Sequence, residues 1–151
     1  MAVVETMAAR AGIGSMKVVV NYSQPAVKNR TVWGDLAPYD KIWRTGANEA
    51  TTFEISEDGL VEGQELPAGR YALFTIPGQE EWTFIFNKEP DQWGAYNYDE
   101  SQDALRVTVQ PETAKFNERL TFRILEKQGR EGGFVTLFWD ELSAGFQLLP
   151  A

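Results

Sequence analysis

The chain has 151 residues with 43% hydrophobic and 13% aromatic content, enough for one packed domain and too apolar for a disordered one. Twenty-two acidic residues against fourteen basic ones give a formal charge of -8, and without a basic run such a surface repels a phosphate backbone, so no nucleic-acid partner is expected. There is no cysteine and no histidine, which removes disulfides, thiolate nucleophiles, cysteine–zinc sites, the Ser-His-Asp triad and the usual neutral-pH base.

Any catalysis would therefore rest on carboxylates, Lys, Tyr, Ser/Thr or an oxygen-bound metal. No apolar run approaches the roughly 20 residues of a membrane helix, so insertion is not expected. The start, MAVVETMAARAGIGSM, lacks a basic stretch followed by a long apolar one. Residues 1–15 are expected to be a loose leader ahead of a single β domain over 16–151.

From residue 16 the chain reads as short β-like runs separated by Gly, Pro, Asn and Asp. MKVVVNY (16–22) is β-branched and stops before Ser23-Gln24-Pro25; TVW (31–33), KIWRT (41–45) and TTFEIS (51–56) follow. Turn signals at Asp58-Gly59 and Pro67-Ala68-Gly69 predict strands near 60–66 and 70–76. EWTFIFNK (81–88) sets Trp82, Phe84 and Phe86 on one face. LRVTVQ (105–110) turns Leu105, Val107 and Val109 inward, and ERLTFRILEK (118–127) turns Leu120, Phe122 and Ile124 to one side. FVTLFW (134–139) reads as a strand covered on both faces, GFQLL (145–149) closes the chain, and GREGG (129–133) reads as a hairpin tip. One helical turn is expected near 26–30 or 100–104. Nine or more short strands without a long helix predict an all-β, single-domain antiparallel β-sandwich or jelly roll; a closed β-barrel has the same alternation and remains the alternative.

Two segments gather polar groups. Residues 21–51 hold Lys28, Arg30, Lys41 and Arg44, four of the fourteen cations, among Tyr22, Trp33, Tyr39 and Trp43, with Asn48 and Glu49 following. Aromatic faces suit sugar rings and Arg forks suit carboxylates, which points to a polar ligand; the plainer account is an Arg44–Glu49 pair pinning a turn while the tryptophans fill the core. Residues 87–103 hold Trp93, Tyr96 and Tyr98 among Asp91, Asn97, Asp99, Glu100 and Asp103, more than a connection needs. Asn97, Asp99, Ser101 and Asp103 imitate a calcium loop, but its sixth position is Gln102 and its twelfth Thr108, so no metal site is expected. No dinucleotide or phosphate loop is present and no cofactor is expected.

The blocks YSQPAVKNR, VWGDLAPYDKIWRTGANEATTFEIS, LPAGRYALFTIP and DQWGAYNYD resemble the bacterial family of domain of unknown function 2911, over residues 21 to about 140. The resemblance implies export to the periplasm or outer surface, because members often carry a signal peptide; the sequence itself leaves the compartment open. It brings no reaction with it. The matching polar positions, among them Tyr22, Lys28, Arg30, Arg44, Asn48, Glu49, Trp93, Tyr96, Asn97 and Tyr98, fall in the two gatherings already described.

Three functions stay open. The first is a non-catalytic module binding a small polar ligand, a saccharide or a carboxylate, through Tyr22, Lys28, Arg30, Trp43, Arg44, Asn48, Glu49, Trp93, Tyr96, Asn97 and Tyr98. The second is a histidine-free carboxylate hydrolase with Glu49 as acid or base and Arg44 beside it. The third is an interaction module whose partner is another protein or a second copy of the chain.

Overall fold

The computed structural model describes residues 5–93, 95–126 and 132–151. Ten strands occur among them: β1 (Glu5–Ile13), β2 (Met16–Gln24), β3 (Thr52–Ile55), β4 (Gly59–Val61), β5 (Gln64–Leu66), β6 (Gly69–Pro77), β7 (Trp82–Asn87), β8 (Asp103–Val109), β9 (Glu112–Glu126) and β10 (Gly133–Pro150). A 3₁₀ turn, Glu100–Gln102, precedes β8, at one of the two places expected. The strands form two antiparallel sheets, of order β1-β2-β3-β6-β7-β8 and β5-β4-β10-β9. Neither sheet closes on itself, so the architecture is the sandwich and not the barrel.

Alternation explains the packing. Val18, Val20 and Tyr22 of β2, Phe53 and Ile55 of β3, Leu73 of β6 and Trp82, Phe84 and Phe86 of β7 point between the sheets. They meet Leu120 and Phe122 of β9 and Val135, Leu137, Trp139, Phe146 and Leu148 of β10. At one end four tryptophans interlock: Trp43 stacks on Trp139 at 5.9 Å and 13°, and Trp33 stands edge-on to Trp43, Trp82 and Trp139 at 5.1–5.9 Å.

Several expectations change. Residues 5–13, expected as a loose leader, pair with β2 from Glu5↔Gln24 to Ile13↔Met16 around a Gly14-Ser15 turn. Ala9 and Ile13 reach the core, which small side chains at alternate positions allow but do not announce. The segments 31–33 and 41–45 are isolated bridges in place of strands. The expected strand over 60–66 is a hairpin, because Glu62 and Gly63 both take positive φ (49° and 79°), as a two-residue turn requires.

β10 turns at Asp140 (φ 54°) and doubles back, so that Gly145 lies against Val135 and Thr136. A Cβ at Gly145 would come within 2.5 Å of the Thr136 hydroxyl oxygen, so the close approach requires glycine. Its first half is covered on one face only: Phe134 is exposed, and Phe138 lies under the Arg123 guanidinium at 5.4 Å. Most of the GREGG tip, residues 129–131, lies outside the described residues.

Candidate functional site

The stretch Trp43–Thr51 is an interrupted strand. Trp43 exchanges backbone hydrogen bonds with Thr75 of β6 (2.7 and 3.0 Å), and the Leu73 N–H donates to Thr51 O (2.7 Å). Both residues therefore lie in the lane that β3 continues, and residues 44–50 loop out between them. Three buried threonines close the loop. Thr51 donates its N–H to Arg44 O (3.2 Å) and its hydroxyl to Thr45 O (2.8 Å), and the Thr45 and Thr75 hydroxyls bond at 3.2 Å. Thr45 and Asn48 take left-handed φ of 62° and 59° to make the reversal.

The Arg44–Glu49 clamp is not formed: among the described residues neither side chain enters an ion pair, and Arg44 Nε is buried without a hydrogen-bond partner. The loop tip presents Asn48 and Glu49 to solvent.

The second segment is ordered by its own polar network. Asn87, fully buried, donates to Asp99 O (3.0 Å) and Asp103 Oδ1 (2.9 Å), and its Oδ1 accepts from the Glu89 N–H (3.1 Å) and Gln92 Nε2 (3.0 Å). The Tyr98 hydroxyl donates to Asp103 Oδ2 (2.5 Å) and accepts from Arg106 (2.7 Å), while its ring packs edge-on to Phe74. Burial first, and the Asp103 hydrogen bond second, push the Tyr98 phenol up to about 12. Asp99 caps the 3₁₀ turn; the Ser101 hydroxyl and N–H that it accepts hold its carboxyl below the ordinary value. These carboxylates are spent on the loop itself, and no cluster able to hold a metal occurs among the described residues.

The two segments meet over the outer face of the large sheet. Glu49 and Trp93 form a β-bridge, and the Ala50 N–H donates to Gln92 O (2.9 Å). Beneath this joint Ala50, Ala72, Phe74 and Ile85 make a second small core, flanked by Ile42, Ile76, Ala95 and Tyr98. Towards β1 the cover stops and the sheet is open.

Across strands, register aligns Ala8, Asn21, Thr52 and Ala72 in one outward row of small side chains. Two adjoining hollows lie along it. One, of about 350 Å³, is lined by Thr6, Met7, Ala8, Asn21, Tyr22 and Ser23. The other, of about 300 Å³, is lined by Pro90, Asp91, Gln92 and Trp93. Glu49, Ala50, Thr52 and Arg70 line both, so the two are one trough. Arg70 pairs with Asp91 at 3.0 Å, the Trp93 ring is 60% exposed, and Gln92 Oε1 is buried without a partner.

Of the residues named from sequence, Tyr22, Glu49 and Trp93 line this trough, and Asn48 is next to it in the loop. Trp43 belongs to the tryptophan cluster and is 4% exposed; an aromatic at a strand position follows strand alternation, which sends it inward. The Tyr22 ring also turns inward, edge-on to Phe122 at 5.1 Å. Lys28 and Arg30 sit on a separate turn beside β9, where the Lys28 N–H donates to Glu118 and Arg30 donates to the carbonyls of Ala26 and Val27. Tyr96 and Asn97 are exposed, with Tyr96 at 88%, and neither lines the trough. Asn21, Ser23, Thr52, Arg70 and Gln92 line the trough and were not among the ligand residues expected from sequence. For the first four the signal was the polar half of strand alternation, which reads as plain solvent exposure until register aligns it; Gln92 lies in the loop after β7 and had no such signal.

Among the described residues no helix is long and apolar enough to cross a membrane. No curated protein and no solved structure matches the chain. A family model does, over residues 5–148, nearly the whole length and including β1: the chain belongs to the family described as Protein of unknown function (DUF2911).

Proposed function

We propose that this protein is a non-catalytic binding module for a small polar ligand held in the trough on the outer face of its large sheet. The observation that carries the reading is the Glu49–Trp93 bridge, which joins the two polar segments and leaves an exposed indole beside Arg70, Asp91 and Thr52. An amphipathic ring next to a few convergent polar groups is the usual composition of a small-ligand site. Glu49 and Asp91 line the same hollow, which keeps the hydrolase reading as the second choice. Both are exposed, Asp91 at 82% of its side chain, without the enclosed setting that general acid catalysis uses.

The test is a thermal-shift screen of sugars, organic acids and divalent ions, the last repeated with chelator. A ligand at about 100 times its Kd adds roughly 2.7 kcal/mol to stability. A hit that disappears in Trp93→Ala, with the unliganded melting temperature unchanged, supports the trough. A hit that survives both Trp93→Ala and Arg70→Ala places binding elsewhere and sinks the reading. A Glu49→Gln variant that keeps binding but loses hydrolysis of the bound compound would establish the hydrolase.

A further inference from the structure

We infer that the trough takes a neutral, linear oligosaccharide lying across the strands, with one sugar ring on Trp93; this rests on the binding reading above. Shape is the first argument. The part of the row that lines the trough, Ala8, Asn21 and Thr52, crosses β1, β2 and β3, two strand spacings or about 10 Å, and Arg70 carries the lining on to β6. That is longer than one pyranose ring. The hollows share Glu49, Ala50, Thr52 and Arg70, so a single extended molecule would fill both, one stretch over Ala8 and Asn21 and the other beside Trp93.

Charge and hydrogen bonding are the second argument. Two carboxylates, Glu49 and Asp91, line the trough against one guanidinium, Arg70, which Asp91 already holds. The balance is negative in a chain of formal charge -8, so an anionic ligand is repelled. The Glu49 and Asp91 carboxylates accept, whereas Asn21, Ser23, Thr52 and Arg70 can donate. A ligand that both donates and accepts along its length, with an apolar ring face for the indole, meets this lining. A chain of sugar hydroxyls does so, and a carboxylate, which only accepts, does not.

The experiment is calorimetric titration with cellohexaose, xylohexaose, maltohexaose and chitohexaose, each beside its monosaccharide. Hexagalacturonate and the glucosamine hexamer serve as anionic and cationic counterparts. We expect at least one neutral hexamer to bind at least tenfold more tightly than its monosaccharide and than either charged hexamer. Trp93→Ala should lower that affinity at least tenfold. Ala8→Trp, which fills the exposed β1 end, should bring the hexamer down towards the affinity of a shorter chain and leave the melting temperature within a degree or two.

A monosaccharide bound as tightly as its hexamer, through Trp93, overturns the linear ligand and spares the binding site. Preference for either charged hexamer overturns the neutral class. No binding by any neutral hexamer overturns the inference, and the organic-acid arm of the thermal screen then decides whether the site survives.

Discussion

The two faces of the large sheet are built from the same strands and end in opposite states. The inner face, carrying Phe53, Phe84 and Phe86 with Trp43 and Trp82 at its end, is sealed against the second sheet. Among the described residues the outer face is covered where the segments around Glu49–Ala50 and Gln92–Trp93 meet above Phe74 and Ile85; beyond them Asn21 is exposed and Arg70 partly so. Trp43 and Trp93, both flanked by polar residues in the sequence, fall on opposite sides of this divide, at 4% and 60% exposure. An aromatic among polar neighbours is therefore not a ligand contact by composition. Which side of the sheet it reaches decides whether it stabilises the fold or is free to meet a ligand.

The comparison is broken most forcefully at Trp43. Trp43→Ala should cost about 3–5 kcal/mol in urea unfolding, because a stacked, enclosed indole leaves a cavity. If the variant kept full stability and lost only ligand binding, the inward placement would be wrong. Next comes Thr45→Val, which removes the hydroxyl partner of buried Thr75 and should cost about 1–3 kcal/mol. A neutral result there would mean that the threonines do not hold the 44–50 loop.

Tyr98→Phe should cost about 1 kcal/mol by removing the phenol from Asp103 and Arg106. It also carries a pH signature. The folded phenol titrates near 12 and the unfolded one near 10.0, so above pH 10 the unfolded chain releases this proton first. The Tyr98 contribution is fully present below pH 10 and is lost as pH rises to about 12. Wild type should therefore lose its advantage over Tyr98→Phe across that window in denaturant titrations.

Smaller effects sharpen the outer face. Arg44→Ala and Glu49→Ala should be additive within about 0.5 kcal/mol in a double-mutant cycle, since the two side chains do not pair. Coupling above 1 kcal/mol would restore the clamp. Smallest of all, Trp93→Ala should change stability by no more than about 0.5 kcal/mol, as expected of a ring standing largely in water.

Much of the architecture was legible in the chain. Period-two alternation over 16–22, 81–88 and 105–110 identified the strands and the inward set Trp82, Phe84, Phe86 and Val107, because burial of one sheet face imposes that pattern directly. Asp58-Gly59 and Pro67-Ala68-Gly69 fall at breaks between strands, with Gly59 and Gly69 opening β4 and β6. β1 was not legible: ETMAARAGI is small and mixed, and an edge strand with little to bury carries a weak signal. The interrupted strand at 41–51 was half legible, since Gly46 announced a break but nothing local showed that Thr51 would rejoin the lane of Trp43.

The sequence by itself determined the all-β class, the central inward faces and the chemistry that absent histidine and cysteine rule out. These follow from composition and from contacts that repeat every second residue. Tertiary structure alone decided that Glu49 meets Trp93, that Arg44 does not pair with Glu49, and that Ala8, Asn21 and Thr52 line up into a trough. Those facts depend on strand order and register between segments far apart in the chain, where a slip of one residue would send each side chain to the other face.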